Sequence, residues 1–238
     1  MVKNHLKRLA TPRTWGIKRK KSVFITKPQP GAHSKEFGIS LNTLFKEELE
    51  IARTTKEVKK ILHDQEVLID GKRRRTEKYN VGFMDVISFP LTKEHYRMSF
   101  SKKGKLTAFK IKEEEANKKL VRITGKKTIK GNKTQLTMGD GKTIIIDKNN
   151  YKVNDVLEIE LPSQKIIKHI PFKKGSNVLI IKGQHSGQTG TIEEINEEEE
   201  LVTVKTPEKK IHTKSSYILI TGDKKPLISV VPWTRCKK

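Results

Sequence analysis

The sequence predicts an α+β protein built as several small modules behind an extended basic arm, with a short basic tail. Three observations lead there. Only 34% of its 238 residues are hydrophobic and 6% aromatic, a thinner apolar share than one large core requires. Helical periodicity is concentrated just after residue 40 and gives way to a strand–turn–strand pattern. From Pro90 onward the chain is mostly short β-prone runs separated by turn signals. These changes divide it into residues 1–39, 40–90, 91–172, 173–222 and 223–238.

Residues 1–39 form the arm. Its first 37 residues hold ten Lys or Arg and one acid, and Pro12, Pro28 and Pro30 interrupt any regular period. At most a short helical turn fits near His5–Leu9. Self-repulsion at this density opposes compaction, so the arm is expected to order only against a polyanion. Its basic residues are interleaved with His5, Trp15, Phe24 and His33. Lys and Arg neutralise phosphates while flat rings stack on unpaired bases, a combination suited to folded RNA. For Trp15 a second reading stays open, in which the ring packs the arm onto the body.

Residues 40–90 read as a compact α+β module. Ser40 is a plausible N-cap for a first helix with Leu41, Leu44, Phe45, Leu49 and Ala52 at helical spacing. Thr54 and Glu57 have capping-box spacing before a second helix, whose apolar face is Val58, Ile61 and Leu62. A strand over Glu66–Ile69 turns at Asp70-Gly71, and a second strand lies near Asp85–Phe89. Arg53, Lys56, Lys59 and Lys60 fall on or near the second helix. With Lys72, Arg73, Arg74 and Arg75 they compose one basic face.

In residues 91–172, the segments 101–105, 130–133 and 139–142 read as hairpin or loop tips that carry lysines outward, Lys103 among them. One helix is expected over EEEANKKL at 113–120. The alternation of acid and apolar residues over Asp155–Leu161 is that of a half-buried strand. Ordinary solvation of the tips competes with any binding role for their lysines.

Residues 173–222 begin with a strand, a glycine-rich loop and a return strand, marked by Gly175, Gly183, Gly187 and Gly190. Positive φ at such glycines would leave backbone amides free for a ligand. Glu197–Glu200 reads as a solvated hairpin tip, and LVTVKTP and SYILITG add two strands. The tail, 223–238, is broken by prolines. Its Trp233 and Arg235 fit RNA, a neighbouring protein or core packing equally.

Charge narrows the function. The chain carries 51 Lys or Arg against 27 Asp or Glu, a net +24. A solvated surface is the ordinary reading of a charge run, but an excess this unbalanced and chain-wide points to nucleic acid. No apolar run approaches membrane-span length, and no apolar stretch of a secretory signal follows the basic start. A lone Cys236 excludes an intramolecular disulfide framework and a cysteine-rich zinc site.

Enzyme signatures fail in turn. Gly141-Lys142-Thr143 resembles the end of a phosphate-binding loop, yet the glycine required five residues earlier is Leu136. The seven histidines have no metal-binding spacing, and no serine sits in a nucleophile elbow. Asp85 is the one acid set apart, because RNA pseudouridine synthases combine a similar small module with a catalytic Asp. Their Gly-Arg-Leu-Asp context is missing here. The sequence therefore reads as a non-enzyme, with no cofactor, metal or small-molecule substrate.

Several segments together resemble one family. They are HLKRLATPRTW at 5–15, IKRK at 17–20, PQPGAH at 28–33, VLIDGK at 67–72, YNVGFMDVISFP at 79–90, YR at 96–97, EEEANKKL at 113–120, TQLTMGDGKT at 134–143 and the glycine pattern from Gly175 to Ile192. In that order and register they resemble the archaeal and eukaryotic small-subunit ribosomal protein four of the e-type. It differs from the bacterial protein of that number, which shares only the small helix–helix–strand RNA-binding module. Gly31-Ala32-His33 and Gly139 depart from commoner family residues, which touches local loop geometry only.

The resemblance implies a structural, non-enzymatic component of the small ribosomal subunit, cytoplasmic and ribosome-bound. Its partners would be small-subunit ribosomal RNA and neighbouring ribosomal proteins, with no membrane. It implies a four-part architecture of basic arm, RNA-binding module, central β domain and a C-terminal KOW barrel of Src-homology-3 type. On this likeness Lys3, Lys7, Arg8, Arg13, Lys18, Arg19, Lys20 and Lys21 lie along RNA. Arg53, Lys56, Lys60, Lys72 and Arg73 present the module's RNA face, and Lys182, Gln184 and His185 the KOW loop. Two other classes remain on sequence grounds, a KOW-containing transcription elongation or antitermination factor and an RNA-modifying enzyme using Asp85.

Overall fold

The computed structural model describes residues 4–64, 66–147, 150–196, 199–223 and 226–229. They fall into two compact units, one from residues 4–100 and 105–117, the other from 101–104 and 118–229.

In the first unit the arm is folded, which corrects the expectation that it orders only against a polyanion. Leu6–Lys7 pairs antiparallel with Phe24–Ile25, and a 3₁₀ turn follows at Arg8–Ala10. Trp15 is only 1% exposed. Its indole Nε1 donates to the Lys35 carbonyl at 2.9 Å, and a backbone bridge joins Trp15 to Leu106. One buried aromatic and a short strand pair thus overcome the repulsion that composition alone suggested.

The small module follows the sequence closely at its caps. Ser40 accepts from the Thr43 amide at 3.4 Å and starts Leu41–Thr43 as an α-turn. The helix then widens into a π-turn over Leu44–Glu48, where the Leu49 amide reaches the Leu44 carbonyl at 2.9 Å. It ends there, shorter than the apolar spacing predicted, and Ala52 is buried without being helical. The second helix is Thr55–Asp64. Thr54 Oγ1 accepts from the Glu57 amide at 3.2 Å while Glu57 accepts from the Arg53 and Thr54 amides. Those backbone donors hold the Glu57 carboxyl below its ordinary range.

An antiparallel five-stranded sheet completes the unit, in the order Lys72–Arg73, Leu68–Ile69, Val86–Phe89, Glu94–Phe100, Leu106–Ile111. Asp70 and Gly71 both have positive φ, as the tight turn between the first two chain-order strands requires. Phe37 and Phe83 each pack on Phe100, and Phe89 lies between Phe45 and Tyr96. Arg97 is fully buried on this sheet, where its guanidinium donates to the Glu115 side chain at 3.0 Å and to the Glu115 carbonyl at 2.8 Å. Burial pushes its pKa down and the Glu115 charge opposes the shift.

The helix expected over 113–120 stops at Ala116. Lys118–Ile129 is a strand instead, because residues 118–122 pair with Val156–Glu160. That strand is central in the first sheet of the second unit, ordered Thr143–Ile146, Lys133–Met138, Lys118–Ile129, Val156–Glu160, Ile166–Ile170. Val121, Ile123, Leu136, Met138, Leu157 and Ile159 form its core. The strand over 156–160 is buried on both faces to Ile159 rather than half-buried, with Glu158 enclosed as well. Lys119 is buried beside Asp140, their charges 3.4 Å apart.

The second sheet runs Lys210–Lys214, Leu201–Lys205, Thr189–Asn196, Asn177–Ile180, Ile218–Gly222. Its outermost strand, KIHTK, is too polar to announce itself in sequence; pairing with Leu201–Lys205 defines it. Arg122 joins the two sheets by donating to the Ser216 carbonyl, and burial pushes its pKa down. Two of the Glu197–Glu200 residues, Glu197 and Glu198, lie outside the described residues.

Gly190 marks a place where backbone approach leaves no room. A Cβ there would lie 2.5 Å from the Lys205 carbonyl oxygen and 2.7 Å from Val204 Cγ1. Gly190→Ala is therefore expected to destabilise the protein by about 1–3 kcal/mol, read as a lower denaturant midpoint.

Candidate nucleic-acid interface

Three of the sequence-predicted contact residues point inward, which corrects their assignment to an RNA surface. Trp15 is in the core. Arg8 is buried, donating to the Glu47 carboxylate at 3.1 Å, the Ser22 hydroxyl at 3.1 Å and the Lys18 carbonyl at 3.0 Å. The His33 side chain is buried with its Nε2 3.0 Å from Asp85 Oδ2. A ring or guanidinium enclosed by its own protein has no face left for a base or phosphate. Their roles are to seat the arm on the module.

The remaining arm residues stay outward. His5, Lys7, Arg13, Lys18, Lys20 and Lys21 are exposed or half-exposed, and Lys21 Nζ approaches Glu47 at 3.6 Å. Arg19 is half-buried and donates to the carbonyls of Leu9 at 3.2 Å and Pro12 at 3.0 Å, so it also braces the arm. Lys3, Trp233 and Arg235 lie outside the described residues.

On the module, Lys56 and Lys60 are exposed one turn apart on the helix Thr55–Asp64, with Arg53 just before it. Val58 and Leu62 face the core. The hairpin's Lys72 and Arg73 are exposed, and Arg73 donates to the His63 carbonyl at 3.1 Å. That bond places a cation at the helix C-terminus, where the dipole favours it. It also brings Arg73 of the hairpin beside the end of the helix that carries Lys56 and Lys60. Arg74 is half-buried and stacks over Tyr79, 4.6 Å from the ring centroid.

In the second unit Lys103, Lys182 and Gln184 are on the surface and His185 is half-buried. Lys182 Nζ lies 5.8 Å from the Tyr217 ring centroid. Gly175, Gly183 and Gly187 all have positive φ. The loop's amides at 186–188 are not free for a ligand, however. Ser186, Gly187 and Gln188 donate to the carbonyls of Gly183, Ile180 and His185. These three bonds close the turn on its C-terminal side.

A cleft of about 1120 Å³ opens in the first unit between the arm and the module. Phe24, Lys46 and Lys78 line it together with His5 and Asn42. In the sequence Phe24 is one ring among several in the arm, and nothing sets Lys46 and Lys78 apart from other lysines. Their convergence has no local signal, because it joins three separate segments of chain.

Asp85, the acid set apart in the sequence, is a structural carboxylate. It is buried, accepts from the Gly82 amide at 2.8 Å and contacts His33 through both oxygens. Among the described residues no three His, Cys, Asp or Glu side chains come close enough to share a metal ion.

Comparison with known proteins agrees along the chain. Residues 92–166 match the model of the ribosomal family S4e, residues 2–36 the RS4NT domain and residues 174–205 the KOW motif. The small ribosomal subunit protein eS4 of Methanocella arvoryzae is 38% identical over 235 residues, covering 97% of this chain and 99% of the relative. That of Methanosphaera stadtmanae is 39% identical over 233 residues, with 96% of each covered. The crystal structure of the 30S ribosomal protein S4e from Thermoplasma acidophilum superposes with a TM-score of 0.69 at 34% identity, spanning 78% of this chain and 95% of that one.

The surroundings of Asp85 make its replacement a test of stability. Asp85→Ala strands the His33 imidazole and the Gly82 amide, and is expected to cost about 1–3 kcal/mol in chemical denaturation. A catalytic Asp would instead give loss of base-modifying turnover with the midpoint unchanged.

Proposed function

This chain belongs to the ribosomal S4e family, and from that membership we propose that it is a structural protein of the small ribosomal subunit that binds and braces ribosomal RNA. The observation that carries the reading is full-length likeness to small-subunit proteins, joined to a net charge of +24. Its chemistry is phosphate neutralisation, which supplies affinity without selecting a base sequence. Neighbouring ribosomal proteins are further partners, and the protein acts on the cytoplasmic ribosome.

Within that role we assign the arm over 1–39, the module over 40–90, the central β domain over 91–172, whose Glu94–Phe100 and Leu106–Ile111 complete the module's sheet, a KOW barrel over 173–222 and the tail over 223–238. The exposed cations of arm and module form the main RNA-facing set. These are Arg13, Lys18, Lys20 and Lys21 on the arm, and Arg53, Lys56, Lys60, Lys72 and Arg73 on the module. Lys103 at its hairpin tip, and Lys182, Gln184 and His185 at the KOW loop, are secondary contacts.

Sucrose-gradient fractionation of a native lysate tests the role. A constant one-to-one ratio to other small-subunit proteins in subunit, ribosome and polysome fractions is expected, before and after a high-salt wash. Residence in light fractions or immature particles alone would overturn it. With the free protein, neutralising about six to ten phosphates predicts a roughly 10³–10⁵-fold loss of RNA affinity between 50 and 200 mM salt. Replacing Lys18 and Lys20 by Ala, while sparing Arg19, is expected to lower the slope of log K against log salt by about 0.7–0.9 per lysine. The thermal unfolding of the protein should be unchanged, and an unchanged slope would remove the arm from the interface.

A further inference from the structure

We propose that the cleft between arm and module is a subsite for one unstacked nucleotide of RNA, its base on Phe24 and its phosphates against Lys46 and Lys78. This rests on the reading of the chain as a ribosomal RNA-binding protein, and names a place on it that charge alone does not. Phe24 is 54% exposed although it belongs to a paired strand. His5 meets it nearly at right angles, with ring centroids 5.5 Å apart, and so steadies the ring. An aromatic held open to solvent beside cations is the pairing that captures a splayed-out base, because every base has a π-face and a phosphate on either side.

The electrostatics of the cleft select an anion. Two of its lining residues are acids, and both are already matched. Glu47 pairs with Arg8 at 3.1 Å and Lys21 at 3.6 Å, and Glu77 with Lys59 at 3.7 Å. Among the described residues Lys46 and Lys78 have no carboxylate within ion-pair distance. Asn42 lines the cleft but is itself buried. Its Nδ2 donates to the Thr26 hydroxyl, while its buried Oδ1 has no hydrogen-bond partner among the described residues. A single nucleotide brings a flat ring for Phe24 and a charge for Lys46 and Lys78 in one ligand.

The test uses the full chain and a small-subunit ribosomal RNA transcript, with affinity measured across a salt series. Phe24→Leu keeps the apolar bulk and removes the stacking face, and Phe24→Trp keeps it. Phe24→Leu is expected to weaken binding about 5- to 150-fold at constant salt slope, since stacking releases no counterions. Phe24→Trp should bind like the unaltered protein, with quenching of its fluorescence on adding RNA. Lys78→Ala should lower the slope by about 0.7–0.9. Unaltered affinity for Phe24→Leu, or equal weakening by Leu and Trp, would overturn the subsite while the salt dependence of the unaltered chain keeps the RNA reading. Normal RNA binding by Phe24→Leu with loss from assembled subunits would assign the ring to a neighbouring protein, again overturning it. Absence of salt-dependent binding by the unaltered chain would overturn the RNA reading itself.

Discussion

A chain with nearly twice as many cations as carboxylates folds only if a few carboxylates are placed where each holds several groups. Asp85, Asp140, Asp155 and Glu47 do this. Asp85 ties His33 and the turn amide of Gly82. Asp155 meets His169 at 2.7 Å and accepts from the amides of Lys152 and Phe172. Asp140 sits between Lys119 and Lys142, and Glu47 takes Arg8 and Lys21. Burying a charge is costly unless it is matched on several sides, and these four are. Drawing acids inward also leaves the exposed lysines with fewer counter-charges, so folding itself accentuates the positive surface.

The same economy explains the arm. Its charge density opposes compaction, yet three of its inward groups each find a complementary partner in the folded unit. Trp15 finds an apolar core and the Lys35 carbonyl, Arg8 finds Glu47, and His33 finds Asp85. The lysines between these anchors then project outward from a defined path. A preformed path lowers the ordering cost of meeting RNA, because less conformational freedom remains to be lost on binding. The arm's braces and its phosphate-facing groups are therefore different residues in one short segment, and conservative Lys-for-Arg reasoning does not separate them.

Thin cores shape the second unit. With few aromatics available, its two sheets rely on Val, Ile and Leu from antiparallel neighbours, whose hairpins keep most pairings local. Positive φ at Gly183 and Gly187 lets the loop between Asn177–Ile180 and Thr189–Asn196 close on itself, while Gly190 lets Thr189–Asn196 approach Leu201–Lys205 closely. A loop whose amides at 186–188 are satisfied internally is a rigid support. It carries Lys182, Gln184 and His185 at its outer edge.

What the sequence determined by itself was whatever is decided within a few residues. The Thr54–Glu57 capping box, the Asp70-Gly71 turn, the hairpin tips at 101–105, 130–133 and 139–142 and the glycine loop all follow from short-range geometry. The family and the net charge were legible for a related reason, since motif order and composition do not depend on folding. Tertiary structure decided the rest. EEEANKKL became half helix and half strand because Val156–Glu160 supplied a pairing edge stronger than its helical propensity. KIHTK became a strand only beside Leu201–Lys205. Whether Arg8, Trp15 and His33 faced RNA or the core turned on Glu47, Lys35 and Asp85, between 20 and 52 positions away. The cleft that gathers Phe24, Lys46 and Lys78 exists only once those long-range contacts close, because a residue's partner is set by the folded path and not by its neighbours in the chain.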